Sequence, residues 1–219
     1  MSDPIIVITG PELAAYGFPN GHPFGPDRHD AFMAELEQSV CVSFLDRRPS
    51  REASREEIES FHTPEYIDLV IKLSETGAGY LDGGDTPAYP GVYEAAAHTV
   101  GGTLNALQSV LEGAVPRAFN PIGGLHHAAR DTAAGFCVFN DAAVAIAIAL
   151  DRFGLKKVAY VDIDAHHGDG VQAAFYHDAE VLTISLHESG KYLFPGTGMK
   201  DEQGRGIGRG FAVNVPLLP

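Results

Sequence analysis

A cluster of acids and imidazoles lies at residues 160–170, where YVDIDAHHGDG places three aspartates and two histidines after an apolar stretch. In an extended segment, residues two apart point the same way, which predicts that Asp162, Asp164 and His166 project to one side. A carboxylate and an imidazole on one face are a good start on a zinc or iron(II) site. Helix capping could occupy a single acid such as Asp169, but it does not account for the whole cluster.

A pair of adjacent histidines, His126 and His127, lies in the Gly-rich segment GGLHHAARD. An isolated pair of this kind is usually an ordinary polar loop, and this one gains interest because the other cluster lies one crossover away. A metal-activated water needs a base to take its proton, and imidazole has a suitable pKa. Asp162 and Asp169 are available to stand behind the two rings and fix their tautomers. We therefore expect the two clusters to form one site.

Strands and helices alternate in the second half of the chain, which predicts an α/β fold with a parallel sheet covered by helices on both faces. In such sheets, ligands bind beyond the carboxyl ends of the strands, where both clusters fall. The predicted strands are residues 5–9, 117–119, 156–163, 179–187 and 211–217. The predicted helices are residues 28–38, 92 to about 112, 142–153 and 170–176, together with one capped by Thr63 that carries the stripe Tyr66, Leu69, Val70 and Leu73. Ser54 and Glu57 form a candidate capping box.

The length of 219 residues suits one domain, 1–219. Acidic residues number 29 against 15 basic ones, a net charge of −14 that argues against nucleic acid as a partner. The longest apolar run, AAVAIAIAL, is too short to span a bilayer, and no basic region precedes the apolar stretch near the N-terminus, so a cytoplasmic protein without a membrane partner is expected. The two cysteines, Cys41 and Cys137, show no metal or disulfide spacing and are expected to be free thiols.

Several ordered motifs resemble the metal-dependent histone deacetylase family, and look closest to its bacterial acetoin-utilization deacetylases. They are GGLHHAARDTAAGFCVFND, YVDIDAHHGDGVQ and SLHESGKYLFPGTG, with HPFGPDR and FHTPEYI nearer the start. The likeness runs from His22 to Pro216. It implies the arginase–deacetylase α/β fold, in agreement with the parallel sheet, and a chain corresponding to the N-terminal portion of the family's catalytic domain. The fold is therefore expected to be incomplete at the C-terminus.

The resemblance also implies two cation sites. Asp164 and His166 would be metal ligands for zinc, and iron(II) is equally compatible with this ligand pair. Family members hold a potassium ion beside the catalytic metal. Asp162, Asp164 and His166, with the backbone near Ser185 and Leu186, match that second site.

The resemblance assigns acid–base roles to the histidine pair. His127 would be the general base and then the general acid, with Asp169 behind it. His126 would polarise or stabilise near the water and be backed by Asp162. Elementary chemistry agrees, because an amide is a poor electrophile. A zinc ion polarises the amide carbonyl, and the same ion lowers the pKa of bound water.

Substrate contacts follow from the same resemblance. Phe136 and Phe194, with Gly135, would line the narrow tunnel that grips an aliphatic acyl-lysine stem. Asp85 would be the acidic rim residue that holds the substrate backbone, and Arg28 would lie in the channel through which acetate leaves. The implied reaction removes acetyl or other acyl groups. The substrate is left open between acetyl-lysine in a peptide or protein, an acetylated polyamine and another small acetylated amine.

Other hydrolase classes fit less well. Arginase-type enzymes use Asp-Ala-His-x-Asp, whereas DAHHGD has Gly168 where the last aspartate is needed and Asp169 one place late. A haloacid-dehalogenase phosphatase needs its nucleophilic aspartate after the first strand, and IIVIT carries none. The His-Glu-x-x-His motif of metalloproteases is absent.

The strongest alternative is a truncated, non-catalytic deacetylase-like protein that binds acyl-lysine or a partner chain. It arises because the family's third ligand, an aspartate, and its transition-state tyrosine in a Gly-Gly-Tyr stretch lie later than this chain extends; no Gly-Gly-Tyr occurs here. The 219-residue chain alone is therefore expected to be inactive, and to self-associate or bind a complementing C-terminal segment.

Overall fold

The computed structural model describes residues 4–219. Strands and helices alternate in the second half of the chain, as the sequence predicts. The strands are β1 (Ile5–Thr9), β2 (Leu45–Pro49), β3 (Ala118–Phe119), β4 (Val158–Asp162), β5 (Val181–Glu188) and β6 (Ala212–Leu217). The helices are α1 (Pro11–Ala14), α2 (Arg28–Gln38), α3 (Arg55–Ile58), α4 (Pro64–Thr76), α5 (Val92–Leu111), α6 (Asp141–Asp151) and α7 (Asp169–Ala174), with short 3₁₀ turns at Val42–Phe44 and Gly206–Gly208.

The strands pair in parallel, and they form two three-stranded sheets ordered β2-β1-β3 and β4-β5-β6. The α/β class with parallel sheets flanked by helices is confirmed. In the second sheet, Asp162 pairs with Ser185, and Ser185 pairs with Asn214. All three side chains are buried, so a polar row crosses this sheet near its carboxyl end.

Helix α5 runs through the core, and two adjacent glycines in it allow close packing. A Cβ on Gly101 would lie 2.0 Å from the carbonyl oxygen of Arg51, so no larger residue fits there. A Cβ on Gly102 would lie 3.1 Å from the side chain of Ile8 on β1. Although α5 is the longest helix described, no helix within residues 4–219 combines the length and hydropathy needed to cross a membrane.

The predicted helix starts are confirmed. Glu57 N donates to Ser54 Oγ at 3.2 Å and Ser54 N donates to Glu57 Oε2 at 2.8 Å, which closes the capping box of α3. The side chain of Thr63 caps α4, with Pro64 in the first turn. The apolar stripe of α4 is wrong at Leu69, which is exposed; Ile67 is buried in the core instead.

The second sheet is covered on one face only within residues 4–219. Ile146 of α6 and Val171 of α7 pack with Val181, and Val158 and Tyr160 pack against them. The opposite face carries exposed apolar side chains, including Val161 (58% exposed), Val213, Val215 and Leu217. Helices flank the parallel sheets as expected, and this apolar face of β4–β6 is exposed within residues 4–219.

Candidate active site

The two predicted clusters meet beyond the carboxyl ends of the strands. His126 and His127 lie in the irregular segment 120–135 that follows β3, whereas Asp162 ends β4 and Asp169 begins α7. Asp162 and Asp169 lie within hydrogen-bonding distance of the two imidazoles. Both clusters therefore lie at one site, as expected for residues beyond the carboxyl ends of parallel strands.

The extended geometry that predicts a shared face for Asp162, Asp164 and His166 holds only as far as Asp162, where the strand ends. Asp164 N donates back to Asp162 Oδ1 at 3.0 Å, and His166 N donates to Asp164 Oδ1 at 2.8 Å, so the chain turns tightly after the strand. The Asp162 side chain is consequently buried at 6% exposure, while those of Asp164 and His166 are 53% and 41% exposed.

Each of the two imidazoles has a carboxylate partner of its own. Nδ1 of His126 lies 2.7 Å from Asp162 Oδ2, and Nδ1 of His127 lies 2.7 Å from Asp169 Oδ1. Each carboxylate therefore holds a proton on Nδ1 and leaves Nε2 for other partners. The two Nε2 atoms lie 3.0 Å apart, so both imidazoles present this nitrogen to the same space.

The electrostatics of the deeper pair favour a charged imidazole. Burial lowers the pKa of His126, but the hydrogen bond and charge of Asp162 outweigh burial, so the net shift is upward. Burial raises the pKa of Asp162, and the interaction with His126 reverses that effect to a net lowering. Tyr160 adds a donor to the same carboxylate, since its hydroxyl lies 2.6 Å from Asp162 Oδ2. These contacts favour the protonated form of His126.

Asp164 and His166 supply donors of the kinds that zinc prefers. His166 Nδ1 lies 3.0 Å from Asp164 Oδ1, so the two groups are adjacent. Burial raises the pKa of Asp164, but donors from His166 outweigh it and lower the pKa overall. Catalytic zinc sites usually have three protein ligands. Within residues 4–219, no three His, Cys, Asp or Glu side chains are placed to bind one ion. The residues present fit part of a zinc site.

One cavity of about 550 Å³ gathers most of the predicted site. Its lining includes nine predicted residues: Arg28, Asp85, His126, His127, Gly135, Phe136, Asp164, His166 and Phe194. Asp162 and Asp169 stand behind the imidazoles, and Ser185 and Leu186 lie on β5. Ser185 pairs with Asp162 in the strand register, and its hydroxyl bonds to His187 Nδ1 at 2.8 Å.

A tight turn shapes the cavity at Gly135 and Phe136. Both residues have positive φ, 53° and 69°, between the paired residues Ala134 and Cys137, as in a type I′ turn. A Cβ on Gly135 would lie 2.5 Å from His127 Cδ2, so only glycine fits. Phe136 has a conformation that costs a non-glycine residue about 1 kcal/mol or more.

Two hydroxyl groups hold this turn in place. Tyr16 Oη donates to the carbonyl of Phe136 at 2.8 Å and accepts from Val138 N at 3.0 Å. Phe136 N donates to the Thr86 hydroxyl at 3.2 Å. The strained backbone of Phe136 is therefore fixed by contacts on both of its peptide groups, which keeps its ring at the cavity wall.

The aromatic rings contact different parts of the site. Phe194 packs edge-on against His127, with ring centres 5.0 Å apart, and its ring centre lies 6.3 Å from that of His166. Phe136 packs edge-on against His22 at 4.5 Å. The phenyl groups thus give the cavity an apolar lining beside the polar end formed by the imidazoles.

An acidic turn lies at the rim. Asp82 Oδ1 accepts hydrogen bonds from the backbone N–H groups of Gly84, Asp85 and Thr86. Burial raises the pKa of Asp82, but these donors and Asp85 outweigh burial and lower it to about 2. The neighbouring Asp82 carboxylate, followed by burial, raises the pKa of Asp85. The backbone carbonyl of Asp85 lies 3.2 Å from His22 Nε2.

One wall of the cavity is formed by the N-terminal segment that contains Phe24 and the exposed Arg28. The guanidinium of Arg28 stacks over the ring of Phe24 at 4.3 Å. Cys137 lines the same cavity and is a buried free thiol, whose pKa burial raises. Cys41 is also free, as predicted.

Sequence reasoning missed several residues that support the site. Asn140 and Asp141 bond to the backbone of the histidine segment, and Tyr160 bonds to Asp162. One signal was available, because Asn140 precedes an alanine-rich helix and is a favourable N-cap. The bonds from the Asn140 side chain to the carbonyls of His126 and Ala128, which are distant from it along the chain, have no signature in the sequence.

Comparison with known proteins identifies the family. The histone deacetylase domain model matches residues 22–219. The acetoin utilization protein AcuC of Bacillus subtilis is 43% identical over 220 residues, covering 97% of this chain and 56% of that protein. A histone deacetylase-like amidohydrolase of Pseudomonas aeruginosa is 40% identical over 202 residues, covering 91% of this chain and 52% of that protein.

A solved structure of similar fold gives the same answer. The crystal structure of an HDAC homologue complexed with SAHA superposes with a TM-score of 0.86 at 34% identity, covering 99% of this chain and 59% of that one. The chain therefore spans about half the length of the curated relatives it matches. It belongs to the histone deacetylase family.

Proposed function

We propose that the protein is a metal-dependent amidohydrolase that removes acetyl or other acyl groups from lysine side chains or small acetylated amines. The observation that carries the proposal is the pair of carboxylate-backed imidazoles, whose Nε2 atoms lie 3.0 Å apart at one cavity with Asp164 and His166. The similarity to an amidohydrolase and to a homologue complexed with SAHA supports the same reaction class.

The imidazoles divide the proton transfers between them. His127 is the general base, because Asp169 holds its Nδ1 proton and its ring lies beside Phe194 and His166. It takes a proton from the attacking water at Nε2 and later returns one to the leaving amine. His126, whose pKa Asp162 raises against the effect of burial, keeps its proton and stabilises negative charge nearby.

Asp164 and His166 would hold the metal, zinc or iron(II). When bound there, the metal polarises the amide carbonyl and lowers the pKa of water. A further ligand is needed to reach the three that catalytic zinc sites usually have. The same proposal places potassium near Asp162, Asp164 and His166, with backbone oxygens near Ser185 and Leu186.

The cavity walls would select the substrate. An aliphatic stem gains apolar contact with Phe136 and Phe194, which favours acyl-lysine over a bulky polar amide. Asp85 at the rim can accept hydrogen bonds from a substrate backbone. Arg28, which lines the same cavity and stacks on Phe24, offers a cation to the departing acetate. The name of the Pseudomonas aeruginosa relative, an amidohydrolase, favours a hydrolase over the non-catalytic alternative.

The test is His127→Ala in the whole metal-loaded protein, assayed on a fluorogenic acetyl-lysine peptide. Turnover is expected to fall about 100-fold or more, the scale of general acid–base help, while the metal content stays constant. The matched control, His177→Ala, removes an exposed histidine in the turn after α7 and should leave turnover unchanged. Equal turnover in wild type and His127→Ala would remove His127 from the mechanism.

A further inference from the structure

The histidine pair lies in a segment without regular secondary structure, so its backbone must find partners elsewhere. Those partners are concentrated on two neighbouring residues at the start of α6, Asn140 and Asp141. Both side chains are almost completely buried, at 0% and 1% exposure. Neither takes part in the proton transfers proposed above.

Asp141 binds the backbone directly before the pair. Its Oδ1 accepts from Leu125 N at 2.7 Å and from Gly124 N at 3.0 Å. The Thr103 hydroxyl donates to Oδ2 at 2.5 Å. These donors are neutral, so the carboxylate is held by a set of oriented dipoles that also fixes the loop.

Asn140 binds the backbone on both sides of His127. Its Nδ2 donates to the carbonyls of His126 and Ala128, at 3.3 and 2.9 Å. Its Oδ1 caps α6 by accepting from Ala143 N at 2.9 Å. One amide group thus ties the peptide groups around His127 to the first turn of a buried helix.

We propose that Asn140 and Asp141 are positioning residues for His126 and His127. Together they hold Gly124, Leu125, His126 and Ala128, and so set where each imidazole meets its carboxylate. The proposal rests on the proposed function only for the catalytic roles of the two histidines. A misplacement of about 1 Å at such a site can cost about 100-fold in rate.

Two substitutions separate positioning from general stability. Asp141→Ala removes the acceptor for Gly124 and Leu125, whereas Asp141→Asn keeps one oxygen for them and turns its amide to Thr103. Asn140→Ser retains a capping oxygen for α6 but loses the amide that bridges to His126 and Ala128. The matched control is Ser54→Ala, which removes the cap of α3.

The primary readouts need no turnover, so they remain informative if the proposed function fails. Amide hydrogen exchange at Gly124 and Leu125 is expected to quicken about tenfold or more in Asp141→Ala. The imidazole Nδ1–H proton resonances of His126 and His127 are expected to shift or broaden in Asn140→Ser. Ser54→Ala should leave all of these signals unchanged, and Asp141→Asn should restore most of the exchange protection.

Kinetics then test the link to catalysis in the whole metal-loaded protein. Asn140→Ser is expected to lower kcat about tenfold or more with little change in KM, since the cavity walls stay intact. Wild-type imidazole signals and kcat in Asn140→Ser would overturn the proposal, and this variant keeps its helix cap if Asp141→Ala fails to fold. Signals disturbed as strongly in Ser54→Ala would overturn it as well.

Discussion

Acidification is expected to destabilise the fold through one buried histidine. His62 is 1% exposed, and its Nε2 accepts from Asn140 N at 2.9 Å while its Nδ1 lies 3.3 Å from the carbonyl of Arg130. This pattern requires the neutral Nδ1–H tautomer, because a proton on Nε2 would face another donor. Burial lowers the pKa of His62 from 6.5 to about 4.

The size of this destabilisation follows from the difference between the ordinary pKa of histidine and the lowered pKa of His62. At about 1.4 kcal/mol per pKa unit, the neutral histidine contributes about 3 kcal/mol to the free energy of unfolding. A lowered histidine pKa means that the unfolded chain binds more protons as the pH falls. The contribution is therefore complete above about pH 6.5 and is lost between about pH 6.5 and pH 4, with about 2 kcal/mol gone by about pH 5.

The assay compares wild type with His62→Gln, which keeps an amide oxygen near the position of Nε2 but does not titrate. Urea unfolding followed by circular dichroism at pH 7, 6 and 5 gives the difference in unfolding free energy between the two proteins. That difference is expected to move by about 2 kcal/mol in favour of the variant between pH 7 and pH 5, while the other titrating groups cancel. A difference that stays constant across this range would refute the reasoning.

Three further predictions concern the metal, the cavity wall and the exposed sheet. Asp164→Ala is expected to abolish divalent metal binding in the whole protein, and full metal occupancy by elemental analysis would contradict the assignment. Phe194→Ala is expected to raise KM for an acetyl-lysine peptide about tenfold, the scale of losing about 1.4 kcal/mol of apolar contact, and an unchanged KM would remove Phe194 from the substrate site. The apolar face of β4–β6 is expected to make the 219-residue chain associate with a second copy. Val161→Lys should lower the associated fraction in sedimentation velocity, and an equal fraction in both proteins would place the contact elsewhere.

Much of the fold could be predicted because capping and periodicity are local. Helix α2 matches its predicted bounds, and the caps of α3 and α4 are the ones the sequence indicates. Strand β2, with the sequence LDRRP, was missed, because two arginines and a proline on an edge strand give no apolar alternation. The predicted end of β4 was also wrong. Asp162 lies in the strand and Asp164 in the turn after it, so the alternation of acids continues past the point where the strand ends.

The candidate site, like the fold, could be predicted only in part. Its two halves could be brought together by the rule that parallel strands present ligand sites at their carboxyl ends. The contacts of Asn140 and Asp141 with residues 124–128 could not, because they depend on the path of an irregular loop rather than on a repeat. The bond from Tyr160 to Asp162 was missed for a different reason: a tyrosine inside a buried strand reads as core.

The two carboxylate–imidazole bonds connect the two sheets. Both histidines follow β3 of the first sheet. Asp162 ends β4 of the second sheet, and Asp169 begins helix α7. Both bonds are 2.7 Å long, at the short end of the usual range for hydrogen bonds from nitrogen to oxygen. The positions of both imidazoles relative to their carboxylates therefore depend on how the segment after β3 packs against β4 and α7.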